Sequence, residues 1–252
     1  MSQRELTPLE ADHTPEAVAA RIAEDTPHIY LRDFVYGAID GCVTTFAVVA
    51  GAMGAGLSAG IVLILGFANL LADGFSMAVG NFLGTKAEHQ LLHRARSIEE
   101  NHVEEIPHGE IEEIREIFRQ KGFEGDLLER VVSVITSNRK LWIDTMLREE
   151  WGLHLNGPSP WKSGLSTFIA FNVVGLVPLL PFLLFYFLEA EIQTAFVLSS
   201  ILTACSFFGV GALKARVVEE KWSIAGLETL LMGGGAALIA YLAGVFLQGL
   251  AN

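Results

Sequence analysis

Asp40 and Asp73 lie inside two long apolar runs, Phe34–Leu57 and Ser58–Thr85, that follow one another almost without a break. An ionised carboxylate deep in a bilayer costs at least ~2.5 kcal/mol, so an acid kept there marks an ion or proton path. Met77 stands four residues after Asp73, and Asn69 four before it. In a helix these three share one face and present an amide, a carboxylate and a thioether in a row. A thioether disfavours hard Mg²⁺ and Ca²⁺, which prefer all-oxygen shells, and favours Fe²⁺. A carboxylate must lose its proton to bind metal, so it can exchange one for the other. Asp40 is therefore expected to be a gate ligand and proton carrier, with Asp73, Met77 and Asn69 as companions along the path.

A second set of candidate ligands follows these runs. Between Glu99 and Glu116 there are eight Glu and one Arg, with His102 and His108 among them. Glu99 and His102 are three residues apart, as are Glu110 and Glu113, and Met146 and Glu150 are four apart, so each pair shares a helix face. Like charges so placed repel and weaken a helix unless a cation bridges them. Oxygen-rich sites with one imidazole and a thioether suit Fe²⁺ or Mn²⁺ better than a thiolate-type zinc site would. The competing reading is a solvated acidic face.

The elements that must position these residues are legible in the composition. The chain has 252 residues, 51% of them hydrophobic, and a mean hydropathy of +0.42, too apolar for an ordinary soluble domain. Five stretches are long enough to cross ~30 Å of hydrocarbon: about Phe34–Leu57, Gly60–Gly84, Gly164–Leu188, Ile192–Leu213 and Ser223–Leu250. All 17 Lys and Arg fall before the first span, between the second and third, or between the fourth and fifth. The positive-inside rule then places the N-terminus and the middle segment in the cytosol and the C-terminus outside. The first 33 residues carry seven acids and no apolar signal core, and read as a cytosolic tail with an amphipathic helix near Thr14–Ala23. Glu228 lies near the cytosolic start of the fifth span.

The expected fold is an all-α integral membrane protein. Residues 1–33 form the tail, 34–85 the first two spans, 86–161 a small cytosolic helical metal-binding domain, and 162–252 the last three spans. Within the insert, helices are predicted over Ala87–Glu105 as a continuation of span two, over Gly109–Lys121 ending at Gly122, from Asp126 as N-cap, and over Arg139–Trp151. Leu127, Leu128, Val131, Val132 and Ile135 are the apolar face of the third. Pro178 and Pro181 predict a kink in span three. Gly37-x₃-Gly41 and Gly80-x₃-Gly84 predict close helix contacts. Cys42 and Cys205 read as small packing residues. A net charge of −12 without a basic patch argues against nucleic acid.

The run from Arg32 to Gly51 (RDFVYGAIDG followed by TFAVVAG) resembles the first helix of the vacuolar iron transporter family. Gly66–Glu88 (GFANLLADGFSMAVGNFLGTKAE) resembles its second helix, Pro160–Phe182 its third and Leu227–Gly244 its last. The resemblance implies export of cytosolic Fe²⁺, and often Mn²⁺, in exchange for protons, by a homodimer with the metal path at the subunit interface. It implies roles for Asp40 and Met77 in that path, and for Glu99, Glu110, Glu113, Met146 and Glu150 in binding metal on the insert. Two positions depart from the pattern. Asn69 stands where plant members have a Glu, which leaves the proton-coupling group open, with Asp73 one turn away as a candidate substitute, and His102 stands where a Glu is often found. No ferritin-like domain is expected in front of the spans, no permanently bound cofactor, and no enzymatic activity. The short polar tail favours a bacterial inner membrane over a vacuole. Two other readings compete: a metal-buffering or sensing membrane protein, and a membrane enzyme with a carboxylate–histidine centre built on His89, His93, His102 and His108.

Overall fold

The computed structural model describes residues 12–23, 30–188 and 191–250, and among these every regular element is helical. In chain order they are α1 (Pro15–Ala23), α2 (Leu31–Gly54), α3 (Ala59–Glu105), α4 (Pro107–Gln120), α5 (Gly125–Thr136), α6 (Arg139–Glu149), α7 (Pro160–Gly175), α8 (Leu180–Phe187), α9 (Ile192–Val218) and α10 (Trp222–Leu247). A 3₁₀ turn, Val177–Leu179, joins α7 to α8. Five segments are long and apolar enough to cross a membrane: α2, α3, α7 with α8, α9 and α10. Most of the tail expected before α2, and part of the turn expected at Glu189–Glu191, lie outside the described residues.

The centre of the membrane bundle is α2, and its small residues explain why. A Cβ added to Gly37 or Gly41 would collide with the backbone of Thr167 or Phe171 on α7. One added to Gly54 would collide with the backbone of Tyr241 on α10. Without a hydrophobic drive between helices in lipid, backbones hold together by approaching this closely. Around these contacts Phe46, Val49, Leu70, Phe171, Leu179 and Phe182 form the main apolar core. The second glycine pair behaves differently: nothing described lies within 4 Å of the space beside Gly80 or Gly84.

The 47 residues of α3 form one unbroken helix. At 1.5 Å per residue it is about 70 Å long, more than twice the ~30 Å of a hydrocarbon core. Its far half carries the insert. Ala95 of α3 packs with Ile143 and Leu147 of α6, and Arg96 pairs with Asp144 at 2.5 Å. Ile114, Leu128, Val132, Ile135, Trp142 and Met146 form a separate core between α4, α5 and α6.

Several expectations hold in detail. Gly122 has φ +91° and ends α4 in a left-handed turn, with Phe123 N–H donating to Phe118 O at 3.1 Å. The prolines of span three break it at Val177–Leu179. Other expectations need correction. Helix α4 starts at Pro107 rather than Gly109, because proline fits the first helical position, where an N–H has no partner to lose. Glu124, not Asp126, occupies the N-cap position of α5, without a side-chain capping bond, which leaves Asp126 inside the first turn. Helix α6 ends at Glu149, before Trp151. Leu127 is 57% exposed, since α4 and α6 cover only part of the apolar stripe on α5. Cys42 is buried as expected, but Cys205 lies on an exposed face of α9.

Candidate metal centre

The insert gathers its ligands where α3 ends and α4 begins. Glu99 and His102 sit on the last turns of α3, and the tight turn at Ile106 brings α4 back so that Glu110 meets them. One ligand atom from each of the three lies within 4.8 Å of the others. Among the described residues this is the one group of three or more such side chains close enough to share an ion. Glu99 and Glu110 are 2% and 0% exposed, whereas the His102 side chain is about half exposed and opens the site to solvent.

The hydrogen bonding is incomplete in a telling way. Glu99 Oε1 accepts from the Trp151 indole N–H at 2.8 Å. Glu99 Oε2 and both Glu110 oxygens are buried with no hydrogen-bond partner. His102 Nδ1 is 3.2 Å from Glu110 Oε1 but not aligned to bond with it. A buried polar atom without a partner costs about 1–3 kcal/mol, and more when charged, so these oxygens call for either a proton shared between Glu99 and Glu110 or a bound cation.

The electrostatics agree. Burial first, then Glu113 and Glu99, push the Glu110 carboxyl from 4.5 up to about 7, against a smaller opposite pull from His102. Glu150 is also raised, by burial, Glu99 and Glu113. Glu113 and Glu150, both exposed, thus ring the buried trio closely enough to feel its charge. Met146 is fully buried in the insert core beside Ile114 and Trp142. Two carboxylates and an imidazole form a borderline-hard donor set that suits Fe²⁺ or Mn²⁺.

In the membrane half, Asp40 is half-buried on α2. Asp73 is exposed on the surface of the single chain. Met77 is half-buried against the main core and lines a cleft of ≈ 960 Å³ with Arg32, Asp33, Asn81, Glu88 and Lys214. The Asn69 amide donates to the Thr44 and Thr45 hydroxyls at 3.2 and 3.3 Å, which ties α3 to α2. Glu228 lies 3.8 Å from Lys214. The four histidines of the enzyme reading do not converge: His89 meets the Pro158 carbonyl at 3.0 Å, while His93 and His108 are exposed outside the trio.

Two participants escaped the sequence reading. Trp151 appears in sequence only as a helix end, although a Trp N–H near an acidic cluster needs an acceptor. Asn81, one turn past Met77, donates to Asp33 at 3.0 Å and to Thr167 at 2.8 Å. Its i+4 spacing from Met77 was the available signal.

Comparison with known proteins agrees with this architecture. The family model described as "VIT family" matches residues 31–245. The vacuolar iron transporter of Toxoplasma gondii is 34% identical over 230 residues, covering 89% of this chain and 76% of that protein. Vacuolar iron transporter 1 of Arabidopsis thaliana is 32% identical over 212 residues, covering 84% and 83%. The vacuolar iron transporter of Plasmodium falciparum is 27% identical over 224 residues, covering 86% and 82%. On the strength of a match that runs from the start of α2 almost to the end of α10, the chain belongs to the VIT family.

Proposed function

We propose that this protein is a transporter that exports divalent iron, and manganese, from the cytosol across a membrane in exchange for protons. The observation that carries the reading is the pair of acid-bearing sites on one continuous helix. The buried carboxylates of Glu99 and Glu110, with three oxygens that accept no hydrogen bond, gather metal at one end of α3. Asp73 and Met77 stand on the same helix in its apolar half, and Asp40 stands on α2, which packs against it. The relatives' shared name, vacuolar iron transporter, supports iron as a substrate. The insert collects Fe²⁺ or Mn²⁺, and Asp40, Asp73 and Met77 pass it through the membrane. Each carboxylate that takes up metal releases a proton, which couples the two flows.

The working form in this proposal is a homodimer. Asp73, Gly80 and Gly84 lie on one side of α3, and within the chain nothing covers the two glycines. A two-fold axis beside that face doubles Asp40 and Met77 into a four-ligand site. The Lys and Arg, gathered before α2, between Lys86 and Lys162, and from Lys214 to Lys221, support a cytosolic insert, and a bacterial inner membrane is the expected host. The test is Fe²⁺ and Mn²⁺ uptake into proteoliposomes with an internal pH dye and an Asp40→Ala control. Metal movement with opposite proton movement, lost in the variant, supports the proposal. Metal binding without movement favours a buffering protein instead.

A further inference from the structure

We propose that Trp151 is a positioning residue that sets the cation selectivity of the insert by occupying one oxygen of Glu99. The inference rests on the reading of Glu99, His102 and Glu110 as a metal centre. Its physical basis is the hydrogen bond that reaches the trio from the residue just past α6, Trp151 Nε1–H to Glu99 Oε1 at 2.8 Å. An indole N–H is a donor only and stays so at every pH where the protein folds. It does not ligate a metal, and its one hydrogen bond here goes to Glu99.

The backbone that carries the indole is fixed, although the residue itself is 37% exposed. Trp151 follows the end of α6, where its own N–H donates to Met146 O at 3.3 Å and Leu153 N–H donates to Leu147 O at 2.9 Å. Gly152, with φ +64°, makes the turn between them. Leu153 then packs against the Ala95, Ile143 and Leu147 contact that joins α6 to α3. The donor and its acceptor are thus anchored to the same α3–α6 junction although 52 residues separate them.

The consequence is a difference between the two oxygens of one carboxylate. Oε1 is committed to the indole, and Oε2 is buried and bare. Glu99 therefore offers Oε2 as its free oxygen, while the indole competes for Oε1 and holds the carboxylate plane in one orientation. A carboxylate with both oxygens free can chelate an ion through both, which Ca²⁺ accommodates because it takes six to eight oxygens at long range. Fe²⁺ and Mn²⁺ accept the mixed set of single carboxylate oxygens and an imidazole. Tying Oε1 thus favours Fe²⁺ and Mn²⁺ over Ca²⁺. Partners that orient a metal ligand in this way are worth roughly 10–100-fold in affinity.

The experiment is equilibrium Mn²⁺ binding to the full-length protein in detergent, with Ca²⁺ measured by competition. The variants are Trp151→Phe, the replacement of Trp151 by 3-benzothienylalanine (which swaps the N–H for sulfur and keeps the shape), and Glu110→Gln. The expected result is a loss of about tenfold in Mn²⁺ affinity for both changes at 151, with Ca²⁺ affinity unchanged or raised. Parallel loss of both ions in the benzothienyl protein would mean that Trp151 merely supports the fold, and overturns the proposal. Unchanged Mn²⁺ binding at 151 with loss in Glu110→Gln overturns it too, and leaves the metal centre standing. Unchanged binding in Glu110→Gln as well removes the centre itself.

Discussion

Replacing Glu110 by Gln should change the protein in opposite directions with and without metal. The side chain is fully buried, and neither oxygen has a hydrogen-bond partner. Burial, Glu113 and Glu99 raise its pKa from 4.5 to about 7. For a group whose folded pKa is raised, the stabilising contribution is complete below the unfolded value and is lost as pH climbs through the folded value. The metal-free insert should therefore weaken between about pH 4.5 and pH 7. A shift of that size corresponds to roughly 3 kcal/mol at 1.36 kcal/mol per unit. Solvent that enters past His102 screens the repulsion, so about 1–2 kcal/mol is the realistic figure. Glu110→Gln removes the buried charge, and with it both the burial cost and the repulsion, and should stabilise the metal-free protein by that amount at pH 8, with little change at pH 5.

With metal the sign reverses, because the variant lacks a charged ligand. Loss of a charge-assisted contact of about 1.5–3 kcal/mol predicts a fall of roughly 10–100-fold in Mn²⁺ affinity. Titration calorimetry of the full-length protein in detergent, from pH 6 to pH 8, reads both effects. Wild-type affinity should rise by up to about tenfold per pH unit below 7, while Mn²⁺ displaces the Glu110 proton, and level off above it. The variant should bind more weakly and show a shallower profile. Thermal unfolding in EDTA at pH 5 and pH 8 supplies the other half. A variant that binds Mn²⁺ as wild type does, with the same pH profile, would refute the assignment of Glu110 as a ligand. A variant no more stable than wild type at pH 8 without metal would refute the repulsion argument.

Asp40→Ala should abolish metal flux in proteoliposomes while the purified protein elutes and unfolds as wild type does. Retained flux removes Asp40 from the path. Gly41→Ala should destabilise the bundle by about 1–3 kcal/mol, since the new Cβ meets the Phe171 backbone and not a movable side chain; thermal unfolding in detergent checks it. Gly80→Leu has open space around it, so it should leave unfolding unchanged yet weaken self-association, as read by light scattering in detergent. Asn69→Leu deprives the buried Thr45 hydroxyl of its 3.3 Å partner and should cost about 1–3 kcal/mol.

The sequence carried the helices further than the contacts between them. Apolar run length alone located all five spans, because a bilayer imposes a length that few soluble elements match. Spacing alone paired Glu99 with His102, since both sit on one helix. Their meeting with Glu110 depended on the tight turn at Ile106, and the sharp signal there was Pro107. Trp151 was invisible as a partner of Glu99 because helix packing across 52 residues, not local periodicity, makes that bond. The two glycine pairs looked alike in sequence and differ in the fold. Gly37 and Gly41 meet α7, whereas Gly80 and Gly84 meet open space, and nothing in a G-x₃-G spacing tells a contact within the chain from one that waits for a partner.

The continuity of α3 links the two halves of the proposed pathway. Met77 and Glu99 are 22 residues apart on it, a rise of about 33 Å. At about 100° per residue, Asp73, Met77, Asn81, Glu88, Glu99 and His102 fall within about 80° of arc, a single stripe that runs from bilayer to insert. The cleft bounded by Asp33, Met77, Asn81 and Glu88 lies on that stripe, between the two ends. A break in the helix would let the insert swing and would lose this alignment, and no proline or positive-φ glycine interrupts α3. The Arg96–Asp144 pair and the Ala95–Ile143–Leu147 contact brace its far half against α6. A tethered, mobile ion trap would need none of this bracing. A rigid shaft with acids at both ends and a polar cleft between them suits a protein that must deliver the ion it captures.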